Sequence, residues 1–317
     1  MGVRELLTAR NLVLVPHPYV QDRESFERIA ATVREIAPDV RPRVLEDAHP
    51  GPLLARLALR PTLVFSPISL ERLRPWRGRV REGRFLGKIA ELRALERHGL
   101  PVPRWTVLAP DQQPDLAGFD DYAVVKPDQS GRGVAVRLQR LSRLRWKPPP
   151  EESSPVRSDR WVVQRFVQTG PWPVSYRVST LFGETLFAFR CEASHVRPPL
   201  ERSATFRGGT PSGGVSIVAS GRGSRMELTD EPEVLALAER VHAAFPRRPL
   251  LGIDIIREQT TGKLYVLEVN AGGYTWHFST RTGREIQACH GIDFEKQFHG
   301  IRKAARVLAD RTRRLAR

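Results

Sequence analysis

Asp254, Glu268 and Asn270 are the side chains in this sequence whose type and spacing best suit chemistry. All three break the apolar pattern of the stretch PLLGIDIIREQTTGKLYVLEVNAGGY, residues 249–274. Leu250 to Arg257 and Lys263 to Val269 read as two strands, with Thr260-Thr261-Gly262 as the turn between them. Residues two apart on a strand share a face, so Glu268 and Asn270 project together, and a short hairpin brings Asp254 alongside. Hard oxygen donors gathered among Ile, Leu and Val suit a divalent cation such as Mg²⁺ bridging to phosphates. A buried carboxylate without a partner costs several kcal/mol, roughly, so a cation or an arginine is expected beside them. The plainer alternative is a polar hairpin edge that meets solvent.

A second cluster carries positive charge. Tyr122 to Val136, YAVVKPDQSGRGVAV, delivers Lys126 on a strand and follows it with Ser130-Gly131-Arg132-Gly133 before another strand. Glycines let backbone N–H groups approach phosphate oxygens, and a strand-anchored lysine adds a fixed charge. The stretch is neither a Walker A loop nor a G-x-G-x-x-G turn, and an ordinary hairpin with a long loop fits it too. Lys88 opens a helical stripe of Ile89, Leu92 and Leu95 that Gly99 ends. Arg177 and Arg190 rise from two apolar strands, Ser175 to Leu181 and Thr185 to Cys191. They suit bidentate binding of phosphate or carboxylate, or a structural ion pair.

The elements around these groups imply an α/β and α+β chain. Asn11 to Val15, Val40 to Leu45 and Thr62 to Phe65 read as strands. They are separated by a helix over Asp22 to Ala37 and a short one over Leu53 to Leu59, an alternation that implies a parallel sheet. His17 and Tyr19 follow the first strand as surface loop residues or cleft-lining groups. Arg72 to Arg84 reads as a basic connector and Trp146 to Arg157 as a polar insertion. FRGGTPSGG, residues 206–214, is a glycine-rich loop suited to closing over a ligand. Asp230 and Glu233 are expected to cap a helix over Glu231 to Phe245. Thr275, Trp276 and His277 offer ligand contacts, and an amphipathic helix with a basic polar face runs from Asp293. The expected domains are an N-terminal α/β lobe over 1–84, a small lobe with the glycine loop over 85–168, and a large lobe with the metal site over 169–317.

Composition narrows the class. The 317 residues carry a formal charge of +16, and only six of the 51 basic residues are lysines. The arginines are spread along the chain with no aromatic-spaced basic motif, so anionic small molecules or acidic peptides are expected rather than nucleic acid. The reading has no place for a membrane: no apolar run approaches the roughly 20 residues a bilayer span needs. A cytoplasmic location is expected. Cys191 and Cys289 are too few for a disulfide framework or a zinc site.

Two lysines some forty residues apart, a glycine loop, strand arginines and an Asp/Glu/Asn hairpin together resemble the ATP-grasp superfamily. The likeness is greatest to the branch of glutathione synthetases and ribosomal-protein glutamate ligases, over roughly residues 85 to 275. The resemblance implies an ATP-grasp fold with a preceding α/β lobe, and ATP and Mg²⁺ (or Mn²⁺) as cofactors. By the same resemblance Lys88 and Lys126 contact ATP phosphates, and Ser130, Gly131 and Gly133 form the phosphate lid. Gln164, Arg165, Phe166 and Val167 form the hinge at the adenine, and Asp254, Glu268 and Asn270 hold the metal. Arg177 and Arg190 face the γ-phosphate and acyl phosphate.

The implied activity is ATP-dependent ligation of a carboxylate to an amine or thiol through an acyl phosphate, releasing ADP and phosphate. The substrates are a small-molecule or peptide carboxylate and an amine. A kinase using the same site and a non-catalytic nucleotide- or nucleic-acid-binding protein are the alternatives. The chain departs from the family pattern at Arg165, which stands at a usually acidic position, and at Ser175, which stands where an Asp is common. It departs again from Ala271 through Trp276, where a Pro-Gly turn is usual. These departures fall where a substrate would sit.

Overall fold

The computed structural model describes residues 9–47, 60–74, 78–130, 135–146, 158–197, 200, 205–207 and 224–316. The expected short helix at Leu53 to Leu59, Gly131 to Gly133 of the glycine loop and residues 208–214 of the second glycine-rich loop lie outside them.

The N-terminal lobe is a parallel sheet in the order β2-β1-β3-β4 (β1 Arg10–Leu14, β2 Val40–Val44, β3 Thr62–Ser66, β4 Gly78–Glu82). Helix α1 (Arg23–Ile36) crosses between β1 and β2, and the Asp22 side chain caps it by accepting from the Glu24 N–H at 2.7 Å. Strand β4 occupies the segment read as a connector. Its sequence, Gly-Arg-Val-Arg-Glu, offers one apolar residue, which suffices at a sheet edge where charged side chains face water.

Two antiparallel sheets follow. The small one runs β11-β7-β6-β8-β5 (β5 Trp105–Leu108, β6 Tyr122–Pro127, β7 Arg137–Arg140, β8 Trp161–Arg165, β11 Thr205–Arg207). The large one runs β12-β10-β9-β13-β14 (β9 Val174–Leu181, β10 Glu184–Ala193, β12 Ser224–Leu228, β13 Leu250–Arg257, β14 Leu264–Asn270). Strand β11 returns to the small sheet after β10, so the chain crosses between the sheets more than once. Helix α2 (Lys88–Arg97) shares a core with helix α3 (Pro232–Ala243) and one face of the large sheet, including Tyr176, Val178, Ile253 and Ile255.

The α3 cap differs from the expected one. Glu231 is the N-cap with no side-chain cap bond, Pro232 supplies the preset φ of the first turn, and Arg257 takes up Glu231 and Glu233 at 2.7 and 2.9 Å.

The other face of the large sheet joins the N-terminal lobe. Leu181, Phe187, Phe189 and Leu250 share one core with Leu12, Phe26, Ile29 and Phe65, and with α5 (Phe294–Gln297) and α6 (Gly300–Leu315). The C-terminal helix is therefore two helices, broken where His299 takes a left-handed φ of 54°. Trp276 is the wedge of this core. It is fully buried, with its ring centroid 5.3 Å from Phe26, 6.2 Å from Phe65 and 5.2 Å from Phe278. It is a packing residue, not a ligand contact. Among the described residues no helix is long and apolar enough to cross a membrane.

Candidate active site

The large sheet aligns the acidic residues by register. Arg177 of β9 lies opposite Asp254 of β13, and Asp254 lies opposite Glu268 of β14. Directly opposed residues share a face, so the three form a row across the sheet. Asn270, two along from Glu268, extends the row and sits opposite Gly252. A bulge at Leu267 follows, and the Leu267 carbonyl accepts from Lys126 Nζ at 3.1 Å. Bulges free backbone groups from the ladder, and this one ties a lysine of the small sheet to the acidic strand.

Asp254 is engaged on both oxygens. Arg177 Nε donates to Oδ1, Arg177 Nη2 donates to Oδ2 at 2.9 Å, and Asn270 Nδ2 donates to Oδ2 at 3.2 Å. Burial works against both charges: beside Asp254 the Arg177 guanidinium is nonetheless raised, while burial, only partly offset by Arg177, holds the Asp254 carboxyl above its ordinary range. With Asn270 Nδ2 committed to Asp254, its Oδ1 is the free end of the amide.

Lys88, first residue of α2, is buried. Its Nζ donates to the Ser130 carbonyl at 2.7 Å and lies 3.8 Å from Glu268 Oε1. The start of α2 is set by Asp128, whose carboxylate accepts from the Ile89 N–H at 2.8 Å and whose carbonyl accepts from the Lys88 N–H at 3.1 Å. Asp128 directly follows the strand that carries Lys126, so one turn positions both lysines. Burial pushes the Lys126 amine below its ordinary range.

Glu91, one turn into α2, was not singled out in the sequence. It is 3% exposed and accepts from the Val269 N–H at 3.4 Å. Burial first, and then the Glu268 carboxylate, push it well above the usual range. Its signal in the sequence was an acidic residue three positions after Lys88, on the helix face of Leu92 and Leu95.

The hinge residues end β8. Gln164 is buried, and its Nε2 has no hydrogen-bond partner among the described residues. Arg165 donates to Glu258 at 3.0 Å and to the Tyr265 hydroxyl at 3.2 Å, tying the hinge to the β13–β14 hairpin. Phe166 and Val167 are buried, Phe166 under the Arg197 guanidinium at 4.7 Å.

Arg190 does not join the row. It lies opposite Tyr176, one residue out of phase with Arg177, and it bonds Glu192 and Glu227 (3.1 Å) on the far side of the sheet. The reason is a bulge in β10 between Thr185 and Phe187, whose extra residue reverses the parity of everything after it. Cys191 takes the near face instead; burial pushes its thiol up to about 11. Thr275 packs beside the row on the same face, where a Cβ added to Gly252 would lie 2.5 Å from its Cγ2 and 3.5 Å from Arg177 Nη1. His277 is buried against Phe187, and burial lowers it to about 3. His17 and Tyr19 form a surface turn, Tyr19 almost wholly exposed.

The donor set fits a hard cation. Asp254, Glu268 and the free Oδ1 of Asn270 supply three oxygens, and phosphate oxygens and water complete a magnesium shell better than a protein cage does. Among the described residues no three His, Cys, Asp or Glu side chains cluster as a metal site, so the fit rests on two carboxylates and one amide. The unpartnered Gln164 amide and the two buried lysines likewise fit a nucleotide.

Residues 87–272 match the family model of the ATP-grasp domain, which is more than half of the chain. The chain belongs to the ATP-grasp family. No curated protein sequence matches it. Among solved structures it is similar to the ATP-grasp ligase PsnB complexed with minimal precursor, Mg and ADP, with a TM-score of 0.55 and 17% identity over 95% of this chain and 97% of that one. It is also similar to the D-cycloserine synthetase DcsG, with a TM-score of 0.50 and 16% identity over 95% and 99%. A D-alanine–D-alanine ligase from Bacillus anthracis aligns over 96% and 99% at 15% identity and a TM-score of 0.47. At these identities the likeness is one of fold. The ATP-grasp chain thus has an N-terminal parallel lobe, a small antiparallel sheet bearing Lys126 and the hinge, and a large sheet bearing the acidic row.

Proposed function

We propose that this ATP-grasp protein is an ADP-forming ligase that joins a carboxylate, on an amino acid or peptide, to an amine. The observation that carries the reading is the row Arg177–Asp254–Glu268, met by Lys88 of α2, 3.8 Å from Glu268, and by Lys126 of the small sheet on the Leu267 carbonyl. Opposite charges at that meeting point suit a nucleotide triphosphate with its cation. The similarity to PsnB, which has also been solved complexed with the precursor peptide PsnA2 and AMPPNP, supports a peptide or amino-acid substrate.

In this reading Lys88 and Lys126 hold the phosphates, and Ser130 with Gly131 and Gly133 covers them. Gln164 to Val167 hold the adenine, with the Gln164 amide as a donor to the base. Asp254, Glu268 and Asn270 would hold Mg²⁺, which when bound offsets charge between the β- and γ-phosphates. Arg177 is the arginine that faces the transferring phosphoryl group, and Asp254 keeps its guanidinium in place. Arg190, on the opposite face, has no part in this role. Transfer of the γ-phosphoryl group to the substrate carboxylate gives an acyl phosphate and ADP, and attack by the amine releases phosphate. Such chemistry rests on positioning and charge neutralisation rather than on a protein nucleophile.

Hydroxylamine tests the reading. With ATP, Mg²⁺ and a panel of amino-acid and peptide carboxylates, ADP release accompanied by an acyl hydroxamate is expected. ADP release with a stable phosphorylated hydroxyl and no hydroxamate would make the protein a kinase. ATP binding with no ADP from any pair in the panel would make it a non-catalytic nucleotide binder.

A further inference from the structure

Strand β14 closes one edge of the large sheet, so the backbone groups on its outer side meet no further strand. Backbone N–H and C=O groups left unpaired away from water must find other partners. Here α2, the turn after it and the small sheet supply them. The Val266 N–H donates to the Pro101 carbonyl at 2.8 Å, the Leu267 carbonyl accepts from Lys126 Nζ at 3.1 Å, and the Val269 N–H donates to Glu91 Oε2 at 3.4 Å. The first two contacts lie before the bulge and at it. Beyond it, where β14 carries Glu268 and Asn270, Glu91 is the only partner of the outer backbone among the described residues. A bulge disrupts the ladder and bends the strand, so the residues that follow need this second support.

A carboxyl group is a costly way to provide it. Glu91 is buried on the helix face that sets Ile89, Leu92 and Leu95 into the core, where an apolar side chain would carry no desolvation penalty. Residues that break a local rule in this way concentrate at functional sites. What Glu91 touches is the amide between the two ligand candidates: Glu268 and Asn270 point to one face of the sheet, and Val269 points to the other, into the α2 core. Lys88 also reaches this strand, 3.8 Å from Glu268 Oε1, but through a side chain that a cation would claim. The Val269 N–H has no competing role, so the Glu91 contact holds the backbone whichever partner Glu268 takes. We propose that Glu91 is a positioning residue of the metal site: its carboxyl oxygen pins the Val269 amide and thereby sets the spacing and direction of Glu268 and Asn270. The role calls for an acceptor oxygen at this place, not for a charge. It rests on the reading of Glu268 and Asn270 as ligands of the cation.

Glu91→Gln keeps an oxygen at the same reach, and Glu91→Met keeps the length and removes the oxygen. Hydrogen–deuterium exchange of the ligand-free chain, followed by mass spectrometry over residues 264–270, reads the strand directly. Exchange is expected to match wild type in Glu91→Gln and to quicken about tenfold in Glu91→Met. Mn²⁺ binding in the presence of ADP, followed by electron paramagnetic resonance, is expected to hold in Glu91→Gln and to weaken about tenfold in Glu91→Met, as when a group that orients a metal ligand is lost. ADP binding without metal should be alike in all of them. Glu285→Met, at an exposed position of α4 (Arg281–His290), controls for placing methionine on a helix and should change nothing. If Glu91→Met does not fold, Glu91→Ala, which adds no bulk, takes its place. Wild-type exchange over 264–270 without the oxygen would overturn the inference, as would wild-type Mn²⁺ affinity. Equal losses in Glu91→Gln and Glu91→Met would overturn it by making the charge, not the acceptor, the cause. A metal-free ADP affinity that falls as far as the Mn²⁺ affinity would overturn it by making Glu91 a general support of the cleft. Absence of Mn²⁺ binding to the wild-type chain would instead refute the ligand reading itself, and the exchange result, taken without nucleotide or metal, would still decide whether Glu91 pins the strand.

Discussion

The pair formed by Arg177 and Asp254 gives a sharp test of whether the acidic row is a closed electrostatic unit. Removing one member of a buried, hydrogen-bonded ion pair typically costs about 3–5 kcal/mol, because the survivor is left without its countercharge. Here the side chains keep 26% and 21% of their exposure, so water screens part of that penalty and about 2–3 kcal/mol is expected for each single replacement. Arg177→Met leaves Asp254 with only the Asn270 amide; Asp254→Leu leaves Arg177 with no carboxylate. Replacing both removes the charges together and puts apolar groups of similar volume in their place, at a cost of about 1–2 kcal/mol. The coupling energy from the four proteins should then be about 3 kcal/mol, well above the few tenths found for independent sites. Urea unfolding followed by tryptophan fluorescence reads it, with no need for turnover, which all three variants are expected to lose. Additive single losses, with coupling below about 0.5 kcal/mol, would mean that the pair is open in solution and that Arg177 is not pre-set by Asp254.

Other expectations follow from the same geometry. Glu268→Gln should abolish Mg²⁺-dependent ADP release while leaving the circular-dichroism spectrum and the melting temperature close to wild type; retained turnover would remove Glu268 from the metal set. Trp276→Ala empties the centre of the core shared by the N-terminal lobe and the large sheet, and a loss of about 3–5 kcal/mol is expected in denaturant titration. His242 is neutral in the fold: its Nε2 donates to the Arg248 carbonyl at 3.0 Å, its Nδ1 accepts from Thr180 at 2.7 Å, and burial lowers it to about 4. The unfolded chain therefore binds the extra proton first, so this contribution is full above pH about 6.5 and is lost as the pH falls towards 4. Melting temperature measured across that window should fall less steeply in His242→Gln than in wild type. Gly252→Ala should push Thr275 away from the row and crowd Arg177, lowering turnover more than stability, seen by comparing ADP release with unfolding midpoints.

The acidic hairpin was legible because each step left a local trace: an Ile-rich run, a Thr-Thr-Gly turn, and three oxygen-bearing side chains where apolar ones belonged. Lys88 and Lys126 could be named from their rarity and their neighbours, yet what joins them, the capping of α2 by Asp128, is a contact across 39 positions. Arg190 shows where reading along the chain fails. With an unbroken ladder after the turn at Gly183 it would share a face with Arg177; one extra residue near Leu186 sends it to the other side, and no residue in β10 announces a bulge. Glu91 was passed over because an acidic residue in the first turn of a helix is ordinary. Only the approach of β14 makes it buried. Strand β4 and the break before α6 were missed for a similar reason, since edge strands and helix breaks at His299 are decided by what packs against them.

The burial of Trp276 bears on how far this protein can be taken apart. The segment after Asn270 departs from its family, yet its middle is anchored between Phe26 and Phe65 of the N-terminal lobe, while Gln21 donates to the Gly273 carbonyl at 2.9 Å and Ser279 meets Ser25 at 3.0 Å. A chimera that imported a foreign first lobe would therefore have to import residues 273–279 with it, or lose the registration of the strand that carries Glu268 and Asn270. Of that segment's described side chains Tyr274 alone stands mostly in solvent, so it is the position where a substitution leaves the shared core intact.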